Sequence, residues 1–275
     1  MAFRALLTGD GDFDWSGAVD DPTLDRSHSR RRIVIEIIIV LALSFGRSGV
    51  YSIIQIIDRL TLSTPLSQQT TSLNNSVTPD RPWLDLTYQV YYFIMPMAET
   101  ALVLYLLHLA YGQARRRIGF DLGRWWPDVG RGWLTCAVIG IPGLAFYLLA
   151  RLIGINATVV PANLSDVWWR VPVLLVSAAM AGISEEVVML GYLVNRLRAL
   201  RWSPLLAIVV SAAIRGSYHL YQGFGGFLGN VVMGVVFGLL YLRWKRVMPL
   251  VIAHTLIDCF AFVGYSLIAP YISWL

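Results

Sequence analysis

The chain has 275 residues, of which 56% are hydrophobic and 14% charged, with a mean hydropathy of +0.60. Soluble domains carry about 25% charged residues, so this composition excludes an ordinary soluble enzyme and points to a membrane protein. The net charge of +5 resides almost wholly in arginine, with Lys245 the only lysine, and no soluble basic domain is present to turn that charge toward nucleic acid.

Residues 1–32 read as a flexible cytoplasmic tail without sustained periodicity, containing His28 and closing on Arg30, Arg31 and Arg32. The run that follows is too long for a signal peptide and reads as an uncleaved span. A helix crosses the hydrocarbon with roughly 20 apolar residues. Runs of that kind at 33–57, 84–110, 133–153, 168–197, 204–221, 227–242 and 251–268 predict an all-α, polytopic transmembrane helix bundle. The expected number is about seven spans, with six to eight compatible with the interruptions. The N-terminal helices and loops occupy 33–167 and the chemistry-bearing bundle 168–275.

Arginine clusters alternate with the spans. The tail and the loops at 113–131, 196–203 and 243–248 are basic, whereas those at 60–82, 154–167 and 222–226 are not. The positive-inside rule then places the N-terminus in the cytoplasm. Low lysine, high arginine and no organelle signal point to a multi-pass protein of a bacterial inner membrane. Trp125 and Trp126 suit the lipid interface. The pairs Ala178/Gly182 and Gly234/Gly238 suit close helix packing. Cys136 and Cys259 lie in apolar runs and read as small packing residues.

Ionisable groups inside a membrane are costly and mark candidate sites. They gather late in the chain: Glu185 and Glu186 in the fourth run, Arg215 and His219 in the fifth, His254 and Asp258 in the seventh. Each of the last two pairs is four residues apart and shares a helix face. The adjacent glutamates diverge by roughly 100°, so one is expected to do chemistry and the other to support it. A carboxylate and two imidazoles (Glu185, His219 and His254) can hold zinc. They can equally hold a water directly, with the carboxylate as general base. A proton relay or transporter is the competing use of such groups. Elsewhere, His108 reads as interfacial, Arg170 and Asp166 as span-end residues, and Glu99 as a partner for an intramembrane arginine such as Arg47.

Three stretches carry a resemblance: Ser184–Gly191 (SEEVVMLG), Arg215–His219 (RGSYH) and His254–Asp258 (HTLID). Their order resembles the CPBP family, the CAAX-protease and bacteriocin-processing membrane peptidases also called Abi proteins. That family has a double-glutamate helix, an aromatic-x-x-x-His helix and a closing His-x-x-x-Asn/Asp helix. The likeness extends over about 171–265. It implies a membrane endopeptidase acting on a peptide or membrane-protein substrate, related to enzymes that cut after the prenylated cysteine of CAAX proteins. By position it makes Glu185 the residue that activates water, with His219 beside it. His254 and Asp258 would stabilise the oxyanion or complete the site. The resemblance leaves both zinc and metal-free chemistry open.

Two departures stand out. The family's arginine five residues after the first glutamate is Leu190 here, and its phenylalanine four residues before the first histidine is Arg215. We therefore expect Arg215 to supply from the fifth span the charge that Leu190 lacks, pairing with Glu186. The loss at position 190 also makes an inactive scaffold of the same fold a third reading. On straight helices rising about 1.5 Å per residue, His254 and His219 fall near opposite ends of their spans. They meet only if the fifth span starts deeper, tilts, or breaks near Gly216.

Overall fold

The computed structural model describes residues 26–268, with side chains from Ser29 onward. The tail up to residue 25 and the side chain of His28 lie outside the described residues. The chain forms α1 (Arg26–Leu43), α2 (Phe45–Thr61), α3 (Pro82–Tyr92), α4 (Ile94–Tyr111), the single turn α5 (Ala114–Arg117) and α6 (Trp125–Leu152). It continues through α7 (Arg170–Glu186), a π-helical stretch Val187–Val194, α8 (Asn195–Ala199), α9 (Pro204–His219), α10 (Phe224–Trp244), α11 (Met248–Cys259), a second π turn Phe260–Gly264 and α12 (Tyr265–Ile268). Two short strands, β1 (Thr70–Ser72) and β2 (Thr158–Val160), pair in parallel.

The all-α polytopic bundle is therefore observed, and the chain is a multi-pass membrane protein. Among the described residues five helical stretches are long and apolar enough to span a bilayer: 82–111, 125–152, 170–199, 224–244 and 248–268. A sixth arises if α1 and α2, bent by 53° at their junction, count as one. With the bent pair counted, the number stands at the lower end of the expected six to eight, one below the central figure of seven. The fifth run forms a helix of only 16 residues, about 24 Å at the helical rise and short of the hydrocarbon thickness.

The loops sort by end as the arginine alternation required. β1 in the 60–82 loop pairs with β2 in the 154–167 loop, register Thr70↔Thr158, and Asn156 bridges to Gly223 in the third loop. At the opposite end, Arg246 binds Asp121 and Asp128, and Glu36 of α1 takes Arg196 of α8 at 2.5–2.7 Å. Trp125 and Trp126 are exposed, as interfacial residues should be.

The stretch 170–199 is the axis of the bundle: 61% of its apolar window is buried, against 17–33% for the other four spans. Every residue from Val187 to Val194 is buried. A π turn leaves backbone groups short of their usual partners, and neighbouring side chains meet two of them. Ser211 donates to the Met189 carbonyl at 2.9 Å, and Asn195 to that of Gly191 at 2.8 Å.

The small-residue pairs work as expected. A Cβ on Gly182 would lie 2.5 Å from Thr255 Oγ1 and 3.0 Å from the Val251 carbonyl oxygen, so α7 and α11 touch there backbone to backbone. Gly234 and Gly238 admit Ala212 and Ile208 of α9, and Gly234 also leaves room for the Arg215 stem. Cys136 and Cys259 are free thiols.

Candidate active site

The sequence brought six ionisable residues to three helices, and tertiary packing brings them to one place. Glu185 and Glu186 end α7, immediately before the π stretch. Arg215 and His219 lie on the last turns of α9, whose start is fixed by Ser203, accepting from Leu206 N at 3.2 Å, and Pro204. His254 and Asp258 lie on α11.

The depth conflict disappears without a break at Gly216, because α9 runs unbroken from Pro204 to His219. The start of α11 is buried and anchored. Arg246 forks onto Asp128 at 2.7–3.2 Å and reaches Asp121 at 3.2 Å. Val247 N and Met248 N donate to the carbonyls of Ile118 and Gly119 at 2.8 and 3.1 Å. Asp121 lies outside the spans; its hydrogen bond from Arg246 holds its carboxyl below the ordinary value of 3.8. With α11 seated there, and Gly182 in contact with Val251 and Thr255, His254 faces the glutamates one turn further along.

The twin glutamates diverge as their adjacency demands. Glu186, fully buried, accepts from His254 Nδ1 at 2.8 Å and from Arg215. Its second oxygen has no hydrogen-bond partner among the described residues. Glu185 turns toward α9: its Oε2 accepts from the Tyr218 hydroxyl at 2.7 Å and from Arg215 Nη2 at 3.3 Å, with His219 Nε2 at 3.9 Å. Among the described residues no hydrogen bond engages Glu185 Oε1, and the side chain keeps 12% exposure. His254 Nε2 lies 3.6 Å from Asp258 Oδ2.

Arg215 is the hub. The residue is 1% exposed, and its guanidinium contacts both glutamates, lies 3.4 Å from His254 Nδ1, and sits over the Phe237 ring with 5.6 Å to the centroid. Leu190, the position of the missing arginine, is 1% exposed within the apolar core. The expected pairing of Arg215 with Glu186 is thus present and extends to Glu185.

That guanidinium also bears on zinc. Glu185, His219 and His254 share the site without forming a ligand set: among the described residues no three His, Cys, Asp or Glu side chains form a metal-holding group. The place between Glu185, Glu186 and His254 holds a fixed cation instead. This donor set does not fit a zinc ion.

Two contacts have no counterpart in the motif reading. Tyr218 holds Glu185, and Gln222 Nε2 lies 3.4 Å from His219 Nδ1. Both residues lie within three positions of His219 in sequence, but neither residue type signals a site without the partner that folding supplies. Of the other candidates, His108 is exposed and Arg170 pairs with Asp166 at 3.3 Å, as expected of span ends. Arg47 lies within electrostatic reach of Glu99, but no ion pair joins them among the described residues.

Residues 167–260 match the family model of the type II CAAX prenyl endopeptidase Rce1-like proteins. The matched segment holds all six ionisable residues of the site. No curated protein and no solved structure matches the chain.

Proposed function

We propose that this protein, with an Rce1-like domain at 167–260, is an intramembrane endopeptidase in which Glu185 activates water without a metal. The observation that carries the reading is the asymmetry of the Glu185 carboxylate. Oε2 is engaged by Tyr218 and Arg215, while Oε1 has no hydrogen bond among the described residues and the side chain is partly open.

Water hydrogen-bonded to Oε1 loses a proton to it as its oxygen attacks the scissile carbonyl carbon. The carbonyl π pair moves onto oxygen. His219, with Gln222 donating to its Nδ1, carries its proton on Nε2 and donates it as a hydrogen bond to that oxyanion. Collapse of the tetrahedral intermediate breaks the C–N bond, and Glu185 returns its proton to the leaving nitrogen. The products are one carboxylate-ended and one amine-ended peptide. His254 holds Glu186 in place, and Asp258 borders His254. Burial of the reaction in the bundle strengthens each of these interactions.

The substrate class is a peptide or membrane-protein segment reached from the bilayer, and the basic end of the bundle, with the N-terminus, faces the cytoplasm of a bacterial cell. Membrane fractions from cells expressing wild type or Glu185→Ala, compared by mass spectrometry of new peptide termini, test the reading. Wild-type-specific termini are expected. Identical sets of termini would refute it.

A further inference from the structure

We infer that Tyr218 is a positioning residue for this hydrolysis, holding Glu185 so that only Oε1 is presented to water and setting the roles of the two glutamates apart. The inference rests on the proteolytic reading and concerns a residue at an unspecified position of the middle motif.

A carboxylate's terminal torsion is broad and nearly two-fold, so a glutamate without partners offers either oxygen. Arg215 cannot by itself choose between them. Its Nη2 is shared among Glu186, Glu185 at 3.3 Å and His254 at 3.4 Å. The Tyr218 hydroxyl has one proton to give, and it gives it to Glu185 Oε2 at 2.7 Å. An O–H donor to a carboxylate is a short, charge-assisted bond. Among the described residues Glu186 accepts only from Arg215 and His254, with no hydroxyl donor, and is fully enclosed. The hydroxyl therefore marks Glu185 as the carboxylate that is held by one oxygen and open at the other.

The ring is fixed as firmly as the hydroxyl. Tyr218 is 7% exposed. Phe45, the first residue of α2, lies against one part of the ring at 4.8 Å between centroids, and His219 against another at 4.7 Å. Below it, Ser217 Oγ would lie 2.4 Å from a Cβ on Gly49, and Ser52 Oγ accepts from Tyr221 N at 2.6 Å, so α2 is clamped along this end of α9. A helix outside the matched domain thus holds the residue that aims the water-activating group. A buried tyrosine hydroxyl inside a membrane needs an acceptor, and Glu185 is the one it has.

The test uses purified full-length protein in lipid nanodiscs and an internally quenched peptide carrying a farnesylated cysteine before its C-terminal residues. Tyr218→Phe keeps the ring between Phe45 and His219 and removes only the donor. We expect kcat to fall about 10- to 100-fold, the range of one hydrogen bond to a charged group. KM should stay within about twofold and the melting temperature should hold, which separates aiming from mere packing. Tyr218→Leu should in addition melt earlier. Infrared difference spectra supply a readout that needs no turnover. The Glu185 carboxylate band, identified by its loss in Glu185→Gln, should shift in Tyr218→Phe. An unshifted band, or a wild-type kcat in Tyr218→Phe, overturns the inference. If Glu185→Ala cleaves as fast as wild type, the proteolytic reading falls instead; in that case, or if wild type leaves this peptide intact, the infrared band alone decides the role of Tyr218.

Discussion

Replacing Arg215 with phenylalanine restores the aromatic residue usual at that position in the family and removes the cation from the centre of the site. Glu186 is fully buried, and among the described residues one of its oxygens is already without a hydrogen-bond partner. Loss of Arg215 leaves it only His254, beside a second carboxylate that has also lost a contact. Removing one member of a buried ion pair costs about 3–5 kcal/mol, because the remaining charge stays desolvated. For a chain of this size each kcal/mol moves the melting temperature by about 2–4 °C, so Arg215→Phe should melt on the order of 10 °C earlier and lose peptide cleavage. Adding Glu186→Gln should recover much of the melting temperature without restoring activity, since it removes the stranded charge. Adding Leu190→Arg should recover both in part, because it returns a cation from the helix that carries Glu186. The recovery is partial because arginine overpacks a site filled by leucine, at a cost of about 1–3 kcal/mol. Thermal unfolding in detergent and cleavage of the farnesylated peptide measure the two quantities. A wild-type melting temperature in Arg215→Phe would refute the ion-pair reasoning, and failure of Leu190→Arg to improve on it would refute the exchange of positions.

Further outcomes follow from the seating of α11. Gly182→Ala places a methyl group against the Thr255 backbone and the Val251 carbonyl, neither of which yields cheaply. It should push α11 from α7 and cut cleavage more than tenfold; cleavage near the wild-type rate would show that this contact does not set the site. Asp128→Asn leaves the Arg246 fork on a neutral partner and should lower the melting temperature through a buried pair, on the order of 3 kcal/mol. Asp121 adds a pH dependence. Its carboxyl is held below 3.8 when folded, so its contact with Arg246 stabilises the fold above that value and the benefit is lost as pH falls through the lowered folded value. The gap in melting temperature between wild type and Asp121→Asn should thus be constant from pH 8 down to about 5 and narrow below about 4. A gap that widens on acidification would reverse the assignment.

Composition and spacing made much of this molecule legible. The apolar runs and the arginine alternation determine a helical membrane bundle and which loops share an end, because backbone in lipid must satisfy itself within helices and cations collect on one side. The pairings of β1 with β2 and of Arg246 with Asp121 follow that sorting. Glu185, Glu186, Arg215, His219, His254 and Asp258 were readable as candidates because charge within apolar runs is costly enough to need a reason, and the absent arginine at Leu190 made Arg215 conspicuous.

What only the tertiary structure decided is how these groups meet. The short α9, the seating of α11 on Ile118–Asp121 and the contact at Gly182 depend on residues distant in sequence, and no local period encodes them. The same holds for Tyr218, Gln222 and Phe45. An aromatic or amide residue in an apolar helix is ordinary until a carboxylate or imidazole from another helix arrives within hydrogen-bonding distance. Zinc and water were equally compatible with the residue types. The placement of the Arg215 guanidinium between Glu185, Glu186 and His254 supports the metal-free reading proposed above, because a fixed cation opposes a second one beside it.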